Sequence, residues 1–124
     1  LTIARNRLVL PNEMSLNYPE LQYIGGEFLY STSKGKIRTY GPRLVENIIQ
    51  ALARIVITDQ MLEIQAMPQC DVVMQVHDEI IAIGSEVNAD VTMDRILQIM
   101  KTTPSWCQDL PLDAEGGHSQ LYDK

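Results

Sequence analysis

The chain is short of cysteine, holds no long apolar run and lacks the common nucleophile and phosphate-loop signatures. Each absence closes a class of function. Cys70 and Cys107 are its two cysteines. They are not spaced as CxxC and cannot build a disulfide framework, so free thiols in a reducing, cytosol-like compartment are expected. No apolar stretch approaches the ~20 residues of a membrane span. Leu1-Thr2-Ile3-Ala4-Arg5 leads straight into strand-like sequence, with no signal-peptide pattern. The first residue is not Met, which implies an excerpt of a longer product or a trimmed one. His77 and His118 are the two histidines, and without HExxH or a Cys/His cluster a zinc site is not expected. Ser33-Lys34-Gly35-Lys36 lacks the glycine spacing and the Ser/Thr of a P-loop. No GxSxG is present, so a hydrolase nucleophile elbow is not supported.

What is present fits one globular domain. The chain has 124 residues, 45% of them apolar, too rich for disorder. The net charge of −6 is unevenly spread. Residues 1–54 hold seven Lys/Arg against four Asp/Glu, and residues 55–124 hold three against twelve, so the halves carry +3 and −9. A basic half that could meet phosphates is joined to an acidic half that could hold cations. Surface scatter alone could produce the same split.

Along the chain, Leu8–Leu10, the turn Pro11-Asn12-Glu13 and Ser15–Tyr18 read as strand, turn, strand. Gly25-Gly26 breaks the chain, and Glu27–Ser31 and Lys36–Tyr40 read as a second hairpin. Gly41-Pro42 starts a helix, since Pro suits the first turn. The helix runs to about Gln65, and Pro68 closes the segment. Val45, Ile48, Ile49, Leu52 and Val56 share one apolar face. Arg43, Asn47, Gln50 and Arg54 form a polar stripe elsewhere on the cylinder. Val72–Val76 and Ile80–Ile83 predict two short strands about a tight turn. Asp90 is the expected N-cap of a second helix over about 91–103, with Met93, Ile96, Leu97 and Met100 as its apolar stripe. Pro104 stops it, and the tail from Trp106 has no clear periodicity. The order ββββαββα without regular βαβ alternation indicates an α+β fold.

The most informative stretch is VVMQVHDEIIAIG, residues 72–84. Two adjacent carboxylates in a strand turn are ordinarily solvated. Flanks this apolar predict strands buried on both faces and a turn anchored near the interior, where an unpaired carboxylate is costly. A bound cation would relieve that cost. Hard oxygen ligands suit Mg²⁺, which takes one or two carboxylates and keeps waters and substrate phosphates as its other ligands. Neighbouring strand residues point to opposite faces, so one of Asp78 and Glu79 should be the principal ligand. His77 suits donation to a phosphate or sugar. The stripe Arg43, Asn47, Gln50, Arg54 reads either as a solvated helix face or as a helix laid along nucleic acid, with Arg on phosphates and amides on base or sugar edges.

TYGPRLVENIIQALARIVI followed by VVMQVHDEIIA resembles the C-terminal part of the palm in family A DNA polymerases, the DNA polymerase I family, in its bacteriophage branch. RLVLPNEMSLNYPEL resembles that branch's LPSGRxLxYPxL strand pair, and WCQDLPLDAEGG its closing W-x-x-x-LPL-x-AEG. Together these segments span about residues 7–117. VHDE alone is weak; VHDE between LVENIIQALAR and LPLDAEGG is specific.

The resemblance implies that Asp78 is a ligand of two catalytic Mg²⁺ ions and that Glu79 is the auxiliary acid. It implies that His77 lies by the primer 3′ terminus and Gln50 contacts the duplex minor groove. Arg43 and Asn47, with Arg54 on the same stripe, fall in the region of further DNA contacts. The implied partners are primer–template DNA, an incoming dNTP and the rest of the polymerase, with no membrane, in bacterial or phage-infected host cytoplasm.

Two positions depart from the pattern. Ile55 stands where the family usually has an acid, and LPNEM where LPSGR is common. The family's first motif, with the other catalytic Asp, and its second, the nucleotide-binding helix, are not in this chain. The resemblance is thus to the last quarter or so of a polymerase. A separately encoded subunit that docks with the missing motifs, or a non-catalytic DNA-binding remnant, are the alternatives. A palm segment without its fingers and thumb should bare apolar surface, so self-association of the isolated chain is expected. Sedimentation at high concentration tests this; a clean monomer would contradict it.

Overall fold

The structure, a computed structural model, describes residues 1–122. It is α+β, with eight strands in three antiparallel sheets and two α-helices among the described residues. The chain divides into two units, Leu1–Ile55 and a second beginning at Val56. The boundary falls inside the long helix. It coincides with the charge partition, so the first unit carries +3 and the second −9.

The first unit holds two three-stranded sheets. β1 (Thr2–Ala4), β2 (Arg7–Val9) and β3 (Ser15–Asn17) form one, and β4 (Gln22–Ile24), β5 (Glu27–Thr32) and β6 (Gly35–Thr39) the other. Both expected hairpins are present, and β1 and β4 are additions. β4 pairs with β5 across Gly25-Gly26, both at positive φ, which is the type I′ requirement for a two-residue hairpin. Tyr18 N–H donates to the Asn6 carbonyl at 2.8 Å, and Ser31 N–H to the Pro19 carbonyl at 2.8 Å, tying the second sheet to the segment after β3.

The turn between β2 and β3 places Glu13 in a left-handed conformation. Leu10 N–H donates to Met14 O at 2.7 Å and Glu13 N–H to Leu10 O at 2.9 Å. Glu13 has φ +69°. This is a three-residue loop of turn plus left-handed residue, the position at which glycine is usual. Glu13 occupies the place of the Gly in LPSGR. Asn12 Oδ1 supports the turn by accepting Met14 N–H at 3.2 Å.

α1 (Gly41–Gln65) has the expected bounds. Its buried positions are Ile55, Ile57, Gln60 and Ile64. Ile48, Leu52 and Val56 of the expected face are half-buried, whereas Val45 and Ile49 are exposed. The buried face is therefore rotated from the one that spacing predicts.

In the second unit β7 (Cys70–Val76) pairs antiparallel with β8 (Glu79–Gly84). A short 3-10 turn, Glu86–Asn88, leads into α2 (Ala89–Lys101). Ile64, Cys70 and Ile99 form the core, with Val72, Ile80, Ala82 and Ile96 packed against it. Full burial of Ile64 stabilises by about 1.5–3 kcal/mol. Gln60 Nε2 donates to the Met100 carbonyl at 2.9 Å, joining α1 to α2. Burial, then the charge of Asp71, pushes the Cys70 thiol up, and its Sγ lies 3.7 Å from the Ile64 carbonyl. Both cysteines are free, as expected.

Asp90 is not the N-cap of α2. Asn88 holds that place without a side-chain cap bond, because the 3-10 turn runs directly into the helix. The Asp90 carboxylate instead meets His118 Nε2 at 2.8 Å, and Lys101 pairs with Asp113 at 3.6 Å. These contacts lay the tail along α2. A Cβ at Gly116 would sit 3.0 Å from Met93 Sδ, so the AEGG glycine permits the close approach. No helix among the described residues is long and apolar enough to cross a membrane.

Relief of left-handed strain at Glu13 is worth about 1–2 kcal/mol, against about 0.4–1 kcal/mol for the extra chain freedom of glycine when unfolded. Glu13→Gly is therefore expected to stabilise the chain by about 0.5–1 kcal/mol in urea unfolding. A loss of stability would contradict the turn geometry.

Candidate functional site: the β7–β8 turn and the polar face of α1

The β7–β8 ribbon carries the acidic triplet. Its register runs Cys70↔Gly84, Asp71↔Ile83 and Val72↔Ala82, then Met74↔Ile81, Gln75↔Ile80 and Val76↔Glu79. Val73 is the extra residue of a β-bulge. Paired residues share a face, so the bulge changes which parity of β7 faces the core. Cys70, Val72 and Gln75 lie on the side of Ala82 and Ile80, while Met74 and Val76 lie on the side of Ile81 and Glu79.

This corrects the expectation of burial on both faces. Val73 is 52% exposed and Ile83 64% exposed. One side of the ribbon packs on the α1–α2 core, and its other side is open. A two-stranded ribbon has no third strand to cover it. His77 and Asp78 are consequently exposed, and Glu79 is half-buried. The desolvation argument for a cation at this turn therefore does not hold; the donor chemistry of the carboxylates remains.

His77-Asp78 is a two-residue loop between the Val76↔Glu79 pair. His77 has φ +53°, and Asp78 does not enter the positive region. Positive φ at the first central residue alone is the type II′ pattern, which favours Gly there. The alternative I′ turn would need positive φ at Asp78 as well. Turning the His77–Asp78 peptide over interconverts the two. Gln75 Nε2 donates to the His77 carbonyl, which is the oxygen of that peptide, and so holds one orientation. At the other end of the ribbon Gln65 accepts Val72 N–H at 2.7 Å and its Nε2 lies 3.3 Å from Asp71. The end of α1 is thus bonded to β7 next to the bulge.

The Asp78 carboxylate makes no hydrogen bond or ion pair with another described residue, whereas Glu79 is engaged. Among the described residues no group of three or more His, Cys, Asp or Glu could hold a metal ion. Two adjacent carboxylates suit one share of an Mg²⁺ site, since that ion is commonly held by one or two of them.

The remaining site residues lie in the first unit, on α1. Arg43 is exposed in its first turn, which has no acidic residue. Asn47 and Gln50, one turn apart, line an open groove with Asn17, Tyr18 and Tyr30. Asn47 Nδ2 donates to Tyr18 Oη at 3.3 Å, and Gln50 Nε2 to Glu46 Oε1 at 3.2 Å. Arg54 is exposed and engaged, and it does not line this groove. The structure thus gathers Asn47 and Gln50 and adds Tyr18, Tyr30 and Asn17, which residue spacing did not single out. The one available signal was the YPxL likeness at Tyr18. Ile55 is buried, 5% exposed.

A DNA polymerase of Bacillus phage SP02 is 35% identical to this chain over 96 residues, which is 77% of this chain and 14% of the phage protein. The chain therefore spans a small part of the length of that relative. No family model matches the chain, and no solved structure matches it.

An incomplete donor set should bind cation weakly. Adding about 1 mM Mg²⁺ to the isolated chain is expected to leave its unfolding midpoint unchanged to within about a degree, because ligand stabilisation needs a concentration above Kd. A rise of several degrees in a thermal scan would show a complete site.

Proposed function

We propose that this chain is the C-terminal palm segment of a phage-like family A DNA polymerase, acting in template-directed nucleotidyl transfer as part of a larger polypeptide or complex. The observation that carries the reading is the VHDE hairpin, with Asp78 exposed in its two-residue turn and half-buried Glu79 next to it at the start of β8, in a chain with 35% identity to a phage DNA polymerase. The share of that relative which the chain covers, 14%, accords with a segment whose partners in the site lie elsewhere.

In this reading Asp78 would hold the catalytic Mg²⁺ ions together with an aspartate from outside the chain, and Glu79 would be the auxiliary acid. Bound Mg²⁺ would supply activation of the primer 3′-hydroxyl and neutralise charge on the leaving pyrophosphate. The hairpin's contribution is preorganisation. The core-anchored ribbon and the bond from Gln75 to the His77 carbonyl fix the turn before substrate arrives. His77 would lie by the primer terminus. Gln50 would face the minor groove, with Asn47 beside it, and Arg43 and Arg54 would meet the DNA backbone. The partners are primer–template DNA, the incoming dNTP and the remaining polymerase, in bacterial or infected-host cytoplasm.

A non-catalytic DNA-binding remnant is the second reading. Buried Ile55 favours it, since the acid usual at that position is replaced by a core residue.

Primer extension separates the two. In the polypeptide or reconstituted pair that carries this segment, Asp78→Asn at fixed Mg²⁺ is expected to lose extension by several orders of magnitude while retaining DNA binding. The isolated 124-residue chain is expected to incorporate nothing. Unchanged extension by Asp78→Asn, or robust incorporation by the isolated chain, would overturn the proposal.

A further inference from the structure

We infer that Tyr18 is a positioning residue of the DNA-facing groove, holding the Asn47 amide in the orientation that meets base and sugar edges. The inference rests on the polymerase reading and adds a residue from outside the α1 stripe. Asn47 Nδ2 donates to Tyr18 Oη at 3.3 Å across 29 positions of sequence. Tyr18 is itself firmly placed. It is 5% exposed, its ring stands edge-on to Tyr30 at 5.3 Å and 90°, and its N–H is bonded to Asn6.

The consequence is chemical. The terminal torsion of an Asn side chain is broad, so an untethered amide samples many directions. Committing one N–H to Tyr18 leaves the second N–H as a donor and Oδ1 as an acceptor. The minor groove offers acceptors at A·T pairs and adds the guanine amino donor at G·C pairs. An amide presenting one donor and one acceptor can meet any of these pairs. Among the described residues no charged side chain lines the groove, whose polar groups are amides and phenols. Recognition there is accordingly by hydrogen bonds to base and sugar edges, without phosphate pairing. The ligand class is duplex DNA read without sequence preference, as templated synthesis on arbitrary sequence demands.

Steady-state primer extension by the polypeptide that carries this segment tests the inference with Tyr18→Phe, Asn47→Ala and the double variant. Tyr18→Phe keeps the ring against Tyr30 and removes only the hydroxyl. It is expected to raise KM for primer–template about three- to tenfold, the loss of one modest hydrogen bond, with kcat within about twofold. The double variant should be no worse than Asn47→Ala, because Tyr18 acts through Asn47. An unchanged KM in Tyr18→Phe, a loss confined to kcat, or effects that multiply in the double variant would overturn it. Asp78→Asn is run alongside. A collapse of its kcat leaves the polymerase reading standing whatever Tyr18 does. Full activity there removes that reading and this inference together.

Discussion

Burial of Ile64, Cys70 and Ile99 against one another is the contact on which the second unit depends. Each comes from a different element, the end of α1, the start of β7 and the last turn of α2. The base of the β7–β8 ribbon is fixed by this cluster, and the bonds from Gln65 to β7 and from Gln60 to α2 align the three elements. The far end of the ribbon, with His77 and Asp78, projects beyond the core. The ribbon thus has a rigid base and an exposed tip.

Left-handed backbone falls at the hairpin turns and at Glu20, between the two sheets of the first unit. Gly25-Gly26 take a left-handed turn at no steric cost, but Glu13 and His77 enter the same region with full side chains. At Glu13 nothing compensates beyond the turn's own hydrogen bonds. At His77 the strain keeps an imidazole beside the acidic pair, where glycine would fold more easily.

Much of this was legible in the sequence. The bounds of α1 followed from Gly41-Pro42 and the periodic run behind it, and the hairpin about His77-Asp78 from branched residues on either side. What escaped were features that local pattern does not encode. The bulge at Val73 reverses which β7 residues face the core, and alternation alone places Met74 where Gln75 lies. Burial on both faces was inferred from apolar content, yet a two-stranded ribbon covers only one. Asp90 looked like an N-cap because nothing in the sequence announces the 3-10 turn before it. Tyr18 joined the groove through a contact between β3's end and α1, a distance in sequence that spacing arguments do not span.

We propose Asp78 as a metal-binding carboxylate of a polymerase active site. The most direct measurement is a crystal structure of the polypeptide that carries this segment, with primer–template, non-hydrolysable dNTP and Mg²⁺. An Asp78 carboxylate oxygen is expected in the coordination sphere of Mg²⁺, at about 2.0–2.1 Å. An ordered ternary complex whose metal ions are held entirely by other residues, with Asp78 facing solvent, would contradict it.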